Sequence, residues 1–228
     1  MCSRLAFRDG LCSLLAALVI PAPWAQSAPP ASSSKPARKA ASAAFSGLDS
    51  GSVSANVYRN SSLGFTCKIP QGWVLRTDEL NAQKKDDPAT AGPSKSTEAS
   101  EAGRVLLAAF SRPPEAHGED INSSILIAAE SVAAYPGLKD AAQYFGPVTE
   151  VAKAQGFDVD EEPYEFPVGV KTLVRGDFEK DLGTRVMHQS TLVMLARGYA
   201  VSFTFIGGTD DEVEELVKGL SLAASKSK

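Results

Sequence analysis

The 228-residue sequence predicts an α+β fold, with helices packed on an antiparallel β-sheet. Three observations in its last third support this fold class. Consecutive strands are joined by short turns, and short turns bring neighbouring strands together in antiparallel pairs. One strand alternates large apolar and small side chains. A capped acidic helix then follows the strands, and helices placed after groups of strands are typical of α+β proteins.

The strands of this last third carry the clearest pattern. Every second residue of one strand is large and apolar, which predicts a face packed against a helix. These residues are Tyr199, Val201, Phe203 and Phe205. The strands that precede it are predicted at 164–168, 170–178 and 185–196. A turn is predicted at 180–184, and Arg197-Gly198 is predicted to form a tight reversal.

The last predicted helix begins at a strong N-terminal signal. Thr209 is the expected N-cap, and Glu212, three residues later, completes a capping box. Asp210 and Asp211 suit the positive end of the helix dipole. Apolar residues at helical spacing predict the buried stripe, which consists of Val213, Leu216, Val217 and Leu220.

The first half of the chain predicts further strands. Side chains alternate over 63–69, a turn is indicated at 70–72, and apolar residues resume at 73–75, which together predict a β-hairpin. The apolar runs 105–110 and 125–129 suit strands that are covered on both faces.

A helical pattern follows between residues 138 and 152. Gly146-Pro147 interrupts it, and proline lacks the N–H that a helix interior needs. We therefore expect either a kinked helix or two short helices, with Pro147 opening the second. Gly156 is the expected C-terminal cap.

The flanking segments predict an exported single-domain protein. Arg4 and Arg8, an apolar run too short to span a bilayer, and small residues near Ala25 are typical of a secretory signal peptide. We expect no transmembrane helix in the mature chain, which would be secreted or periplasmic. The expected segments are a signal peptide at 1–25, a disordered tether at 26–54, one domain at 55–223 with a mobile loop at 83–103, and a disordered tail at 224–228.

Charge and cysteine content narrow the function classes. Loss of residues 1–25 removes two positive charges and one negative charge, so the formal net charge goes from −4 to −5. The only basic cluster, at 35–39, lies in the tether, so nucleic acid is not an expected partner. Cys67 becomes the only cysteine, which excludes an internal disulfide, and its strand position favours burial.

Catalytic and metal chemistry have little support in the sequence. Cys67, His188 and Asp177 have the residue types of a nucleophilic site, but nothing beyond their types joins them. His117 and His188 are far apart, which argues against zinc. The acidic clusters 158–162 and 210–212 lack the glycine and distal glutamate of a calcium loop. No catalytic, metal-binding or cofactor-binding residue is assigned.

Two groups of residues form a pattern that goes beyond secondary structure. The first includes Tyr58, Asn60, Gly64, Phe65, Pro70, Gly72 and Trp73, and the second is the order Arg197-Gly198-Tyr199, Val201, Phe203, Thr209 and Glu212. Together they resemble the Mog/PsbP-like superfamily over roughly residues 55–223. The resemblance implies an α/β/α sandwich around an antiparallel sheet and an accessory or binding role, and the export signal suits the bacterial envelope (DcrB-like) branch.

The sequence thus favours an exported, non-catalytic accessory or binding protein whose partner is an unknown protein or envelope component. One alternative is a small-ligand carrier with a pocket between the sheet and the broken helix, lined by Tyr144, Phe145 and Val148. Another is a small hydrolase or thiol enzyme that uses Cys67 or His188.

Overall fold

The computed structural model describes residues 48–86 (84–86 by backbone alone), 103–116, 118 and 120–223. Its strands are β1 Ser52–Ser54, β2 Val57–Asn60, β3 Phe65–Lys68, β4 Val74–Leu75, β5 Gly103–Phe110, β6 Ser124–Ser131, β7 Asp158–Val168, β8 Lys171–Asp181, β9 Val186–Ala196, β10 Tyr199–Gly207 and β11 Leu220–Leu222. Its α-helices are α1 Thr77–Asp86, α2 Phe145–Ala154 and α3 Asp210–Lys218, with 3₁₀ turns at Val132–Ala134 and Ala142–Tyr144.

The described strands form two antiparallel sheets. The large sheet has seven strands in the order β4-β5-β6-β10-β9-β8-β7, and the small sheet has four in the order β1-β2-β3-β11. Consecutive strands β7 to β10 pair directly with their neighbours, as their short turns predict. Helices pack on both faces of the large sheet, so the predicted α+β class is confirmed.

The main core lies between the large sheet and a layer made of the small sheet and α3. We call this side of the large sheet the inner face. Phe203 and Phe205 of β10 are fully buried there, and the Phe203 ring meets Phe65 of β3 edge to face at 4.9 Å. Burial of one such ring contributes about 1.5–3 kcal/mol to the free energy of unfolding. Tyr199 and Val201 lie in the same cluster, with Val213, Leu216 and Val217 of α3.

A second, smaller core holds α2 on the opposite side of the large sheet, the outer face. The Phe145 ring lies over Gly176 of β8, where an added Cβ would come within 2.6 Å of Phe145 Cε1. Glycine in the interior of a strand usually destabilises it, but at position 176 the absence of a side chain allows α2 to approach the sheet. Ala152 at the other end of α2 packs in the same cluster as Phe178.

The expected hairpin over residues 63–75 is wrong. Strand β3 pairs with β2 and β11 in the small sheet, whereas β4 pairs with β5 in the large one. The turn at 70–72, with Gly72 at φ +85°, carries the chain from one sheet to the other. The same turn residues serve either purpose, so local sequence does not distinguish them.

Helix α1 occupies the start of the expected loop at 83–103, and residues 87–102 lie outside the described part. It is a polar helix held by the edge of the sheet. The Asn81 amide donates to the Val105 carbonyl (2.9 Å) and accepts from the Val105 N–H (3.1 Å). The Ala108 N–H donates to Thr77 Oγ1 at 3.0 Å. Because tertiary hydrogen bonds stabilise it, its apolar pattern is weak.

Two further boundaries differ from expectation. Leu220 is buried in β11 rather than on α3, since the helix ends at Lys218 and the chain turns to pair with Cys67 of β3. The expected tether at 26–54 ends too late, because β1 pairs with β2 and Leu48 is buried. The signal peptide at 1–25, the rest of the tether and the tail at 224–228 lie outside the described residues.

The helical pattern over 138–152 forms two short helices, as the second alternative predicts, but the second helix begins at Phe145 and not at Pro147. A 3₁₀ turn at Ala142–Tyr144 leads directly into α2. Pro147 is the third residue of α2, where its missing N–H costs no intrahelical bond. Gly156, at φ +84°, follows the C-cap Gln155 and adopts the left-handed conformation usual after a helix end.

Candidate functional site

A polar pocket of about 240 Å³ lies on the inner face, between α3 and the ends of β7, β8 and β9. Arg175 of β8 is its central cation and is only 6 % exposed. Its Nε donates to both Asp177 carboxylate oxygens at 3.0 Å, and its Nη2 lies 2.9 Å from Ser190 Oγ and 2.5 Å from Glu214 Oε1. The guanidinium also lies 4.9 Å from the centre of the Phe166 ring.

The polar groups in this pocket satisfy one another. Ser190 Oγ donates to Asp177, and the Tyr164 hydroxyl donates to the same carboxylate at 3.1 Å. Burial lowers and the Glu214 and Asp177 carboxylates raise the pKa of Arg175, with a net rise above its ordinary value. A buried cation with matched carboxylates and hydroxyls is the usual arrangement of a structural ion network.

The structure separates the three residues considered for nucleophilic catalysis. His188 and Asp177 both line the polar pocket, but His188 Nδ1 lies 2.8 Å from Asp210 Oδ1 of α3, and Asp177 is occupied by Arg175 and Ser190. Cys67 lies in the small sheet and is 0 % exposed. Burial raises the pKa of its thiol to about 12, so it is neither ionised nor accessible at neutral pH.

The acidic clusters lie on the surface of elements rather than in chelating loops. Residues 158–162 belong to the edge strand β7, where the charge of Asp160 raises the pKa of Glu179 across the strand pair. Glu212 accepts from the Gly208 N–H at 2.8 Å and from Ser123 Oγ at 2.5 Å. Within the described residues no group of three or more His, Cys, Asp or Glu side chains is arranged to hold a metal, and His117 lies outside those residues.

A larger groove of about 610 Å³ lies on the outer face, between α1 and α2. Its floor is formed by β6 and β10, with Leu126 and Ala128 beside Ser202 and Thr204. The Thr191 and Thr204 hydroxyls are hydrogen-bonded to each other at 3.2 Å. The groove is therefore mainly apolar, with a few hydroxyl groups, which is the usual composition of a small-ligand site.

The walls of the groove come from the two helices. Val148 and Val151 line it from α2, and Leu80 lines it from α1. Val151 is 57 % exposed, so its side chain is accessible to a molecule in the groove. Of the residues expected to line a pocket here, Tyr144 and Val148 do so, whereas Phe145 is buried beneath α2.

One end of the groove carries a carboxylate and two phenols. The Tyr135 hydroxyl donates to Glu130 Oε2, and the Tyr135 and Tyr144 rings meet edge to face at 5.2 Å. Burial and hydrogen bonding to Glu130 raise the pKa of Tyr135 to about 12. Burial and the Glu130 charge raise the pKa of Tyr144 still further. Glu130 follows the predicted strand 125–129 by one residue, and sequence reasoning missed it.

The residues that carry the family resemblance form turns, core contacts and a helix cap. Gly64 has φ +74°, its N–H donates to the Asn60 carbonyl at 2.9 Å, and its carbonyl accepts from the Ala223 N–H at 2.9 Å. Trp73 packs partly buried against the main core, and Pro70 opens the turn before it. Thr209 Oγ1 accepts from the Glu212 N–H at 3.2 Å, whereas the Glu212 side chain bonds Gly208 instead of Thr209.

No protein-family model and no curated protein matches the chain. Similar solved structures include a cyanobacterial PsbP (CyanoP) from Synechocystis sp. PCC 6803, 15 % identical, TM-score 0.42, with 75 % of this chain and 98 % of that one covered. LpqN of Mycobacterium tuberculosis, described as involved in cell envelope biogenesis, is 14 % identical, TM-score 0.34, with 70 % and 83 % covered. At these values neither protein's role extends to this chain.

The described helices are short. In the part of the chain that the structure describes, no helix is long and apolar enough to cross a bilayer. The longest α-helices there, α1 and α2, have ten residues each, about half of what a hydrocarbon core requires.

Proposed function

We propose that this protein is an exported, non-catalytic binding protein of the cell envelope and that the outer-face groove is its binding surface. The observation that carries the proposal is the groove itself: an open, mainly apolar concavity of about 610 Å³ with exposed Val151 on its wall. A concavity of this size and composition suits recognition of another molecule.

Two other observations support a binding rather than a catalytic role. The candidate thiol, Cys67, is buried with a raised pKa, and the polar pocket uses its carboxylates and hydroxyls to hold Arg175. Export and membership of the envelope (DcrB-like) branch are part of the proposal, and they rest on the signal-peptide pattern of residues 1–25 and on the resemblance over 55–223.

A site-specific photo-crosslinker tests the proposal in cells. It is placed at Val151 in the groove wall and, as matched controls, at Val170 and Leu182. These are large apolar residues, 72 % and 45 % exposed, in turns that line neither the groove nor the polar pocket. We expect an adduct with one envelope component from position 151 and none from the two controls.

The adduct is identified by mass spectrometry of the purified product. Localisation of the tagged protein by cell fractionation is measured in the same experiment. Equal labelling from all three positions, or no labelling from position 151, contradicts the groove as the binding surface for an envelope component. Retention of the uncleaved protein in the cytoplasm contradicts the proposed export.

A further inference from the structure

We propose that the ligand of the groove is a small amphipathic molecule with a protonated amine, whose amine pairs with Glu130 and whose apolar body lies along the floor. This inference rests on the proposed function, because it takes the groove as the binding surface. It adds the chemical class of the ligand and the residue that selects it.

The size of the groove suits a small molecule that lies along its floor. Ser124 and Glu130 on β6 are six positions apart, which gives about 20 Å of floor. The groove offers about 610 Å³, within the range of small-ligand sites.

The charge at the groove end favours an amine. None of the described cations lies within ion-pair distance of Glu130. The ion pairs that the described cations do form are with other carboxylates: Glu79, Glu115, Asp177, Glu214, Asp210 and Glu215. The Tyr135 and Tyr144 hydroxyls hydrogen-bond Glu130, but both are neutral and bring no positive charge. A ligand ammonium would supply both the missing charge and further donors.

The Glu130 side chain lies against a residue that has no side chain of its own. Gly103 lies beside it on β5, where an added Cβ would come within 3.0 Å of Glu130 Cγ. Tyr135 and Tyr144 border the same end of the groove, and aromatic rings attract ammonium groups. Bulk at position 103 would push the carboxylate out of place.

The apolar part of the ligand has a defined path. From Glu130 the floor passes Ala128 and Leu126, with Val148 on the wall. Leu126 is four residues from Glu130, or about 13 Å, which a ten-carbon chain spans. Each methylene buried there contributes up to about 0.8 kcal/mol of binding free energy.

The test compares three probes that share a ten-carbon chain: decylamine, decanol and decanoate. Their binding to the mature protein at neutral pH, below micelle-forming concentrations, is measured by calorimetry and mapped by amide NMR shifts. We expect decylamine to bind at least tenfold more tightly than decanol, and decanoate more weakly than both, because a charge-assisted hydrogen bond is worth more than a neutral one.

Two matched variants locate the charge effect. Glu130→Gln keeps the shape and an acceptor for Tyr135 but removes the charge, so decylamine should bind no more tightly than decanol. Glu150→Gln changes an exposed carboxylate on α2 outside the groove and should leave all three affinities unchanged. If Glu130→Gln does not fold, the ratio of decylamine to decanol on the unaltered protein still decides the question.

Equal affinity for decylamine and decanol, or shifts that map outside the groove, overturns the inference. A protein adduct from position 151 together with no amine preference overturns it while the proposed envelope function stands. Selective amine binding at Glu130 with no adduct from position 151 supports the ligand site and contradicts the proposed envelope function.

Discussion

Replacing Arg175 with methionine tests whether the polar pocket is a stabilising ion network. Methionine keeps much of the volume but removes the charge and every donor. Asp177, whose side chain is 14 % exposed, then loses its cation, and Glu214 at 38 % exposure loses one as well. Both carboxylates stay close to the pocket after the substitution.

The expected loss of unfolding free energy follows from the exposure of the two carboxylates. Removing one partner of a buried ion pair costs about 3–5 kcal/mol of unfolding free energy. The more exposed Glu214 regains water, which places the cost near 3 kcal/mol, and loss of the contact with the Phe166 ring adds about 0.5–1 kcal/mol. A total of about 3–4 kcal/mol corresponds to a fall in Tm of roughly 6–16 °C for a domain of this size.

Urea unfolding monitored by circular dichroism measures the cost, with Lys218→Met as the matched control. Lys218 pairs with Glu215 at 2.6 Å, but the two side chains are 65 % and 73 % exposed, so solvent screens this pair and it is expected to contribute little to stability. If Arg175→Met costs no more than Lys218→Met, the network does not stabilise the fold and the reasoning is refuted.

Three further predictions concern single contacts. Burial raises the pKa of Cys67 from 9.0 to about 12, so the unfolded chain loses the thiol proton at a lower pH than the folded protein does. The free energy of unfolding should therefore fall between about pH 9 and 12, by up to about 4 kcal/mol. Unfolding measured across that pH range should show a smaller fall in Cys67→Ala. Gly176→Ala should cost about 1–3 kcal/mol in urea unfolding through its clash with Phe145, and Phe145→Leu in the same chain should recover part of it; a neutral Gly176→Ala contradicts the close approach. Thr209→Ala should lose about 1 kcal/mol and Thr209→Ser little, as thermal melting will show; equal losses would mean that the hydroxyl contact with Glu212 is not the cause.

The elements that the sequence predicts well are those whose signals are local. The reversal at Arg197-Gly198 has both residues in the left-handed region, φ +53° and +82°, as two-residue hairpins require. Thr209 caps α3 through its own side chain. In each case the interaction that forms the element lies within a few residues, so the pattern and the structure depend on the same contacts.

The pair that closes the small sheet, β3 with β11, could not be predicted, because it joins residues 65–67 to residues 220–222, whereas β1–β2 and β2–β3 are local pairs. The residues that follow β3 look the same whether the chain turns back in a hairpin or crosses to another sheet. Helix α1 was missed for a related reason: Asn81 and Thr77 hold it through hydrogen bonds to β5, and a polar helix stabilised in this way shows little apolar periodicity.

The groove was foreseen in part. The spacing around Tyr144 and Val148 indicates a helix beside the sheet, and both residues line the groove. Glu130 gives no comparable signal, because a single carboxylate after an apolar strand usually faces solvent. Its position beside Tyr135 depends on the 3₁₀ turn at Val132–Ala134, which brings the chain back over the strand end.

The pairing of β11 with β3 has a consequence for the order of folding. Leu220 lies opposite Cys67, so nearly the whole folded chain separates the two strands. Closing so long a loop is entropically costly until the intervening segments are compact, so β11 should join the small sheet late, after the local pairs β1–β2 and β2–β3. Until residues 220–222 have been synthesised, one edge of β3 stays unpaired and open to other strands. During biogenesis, aggregation of this protein should therefore begin at β3.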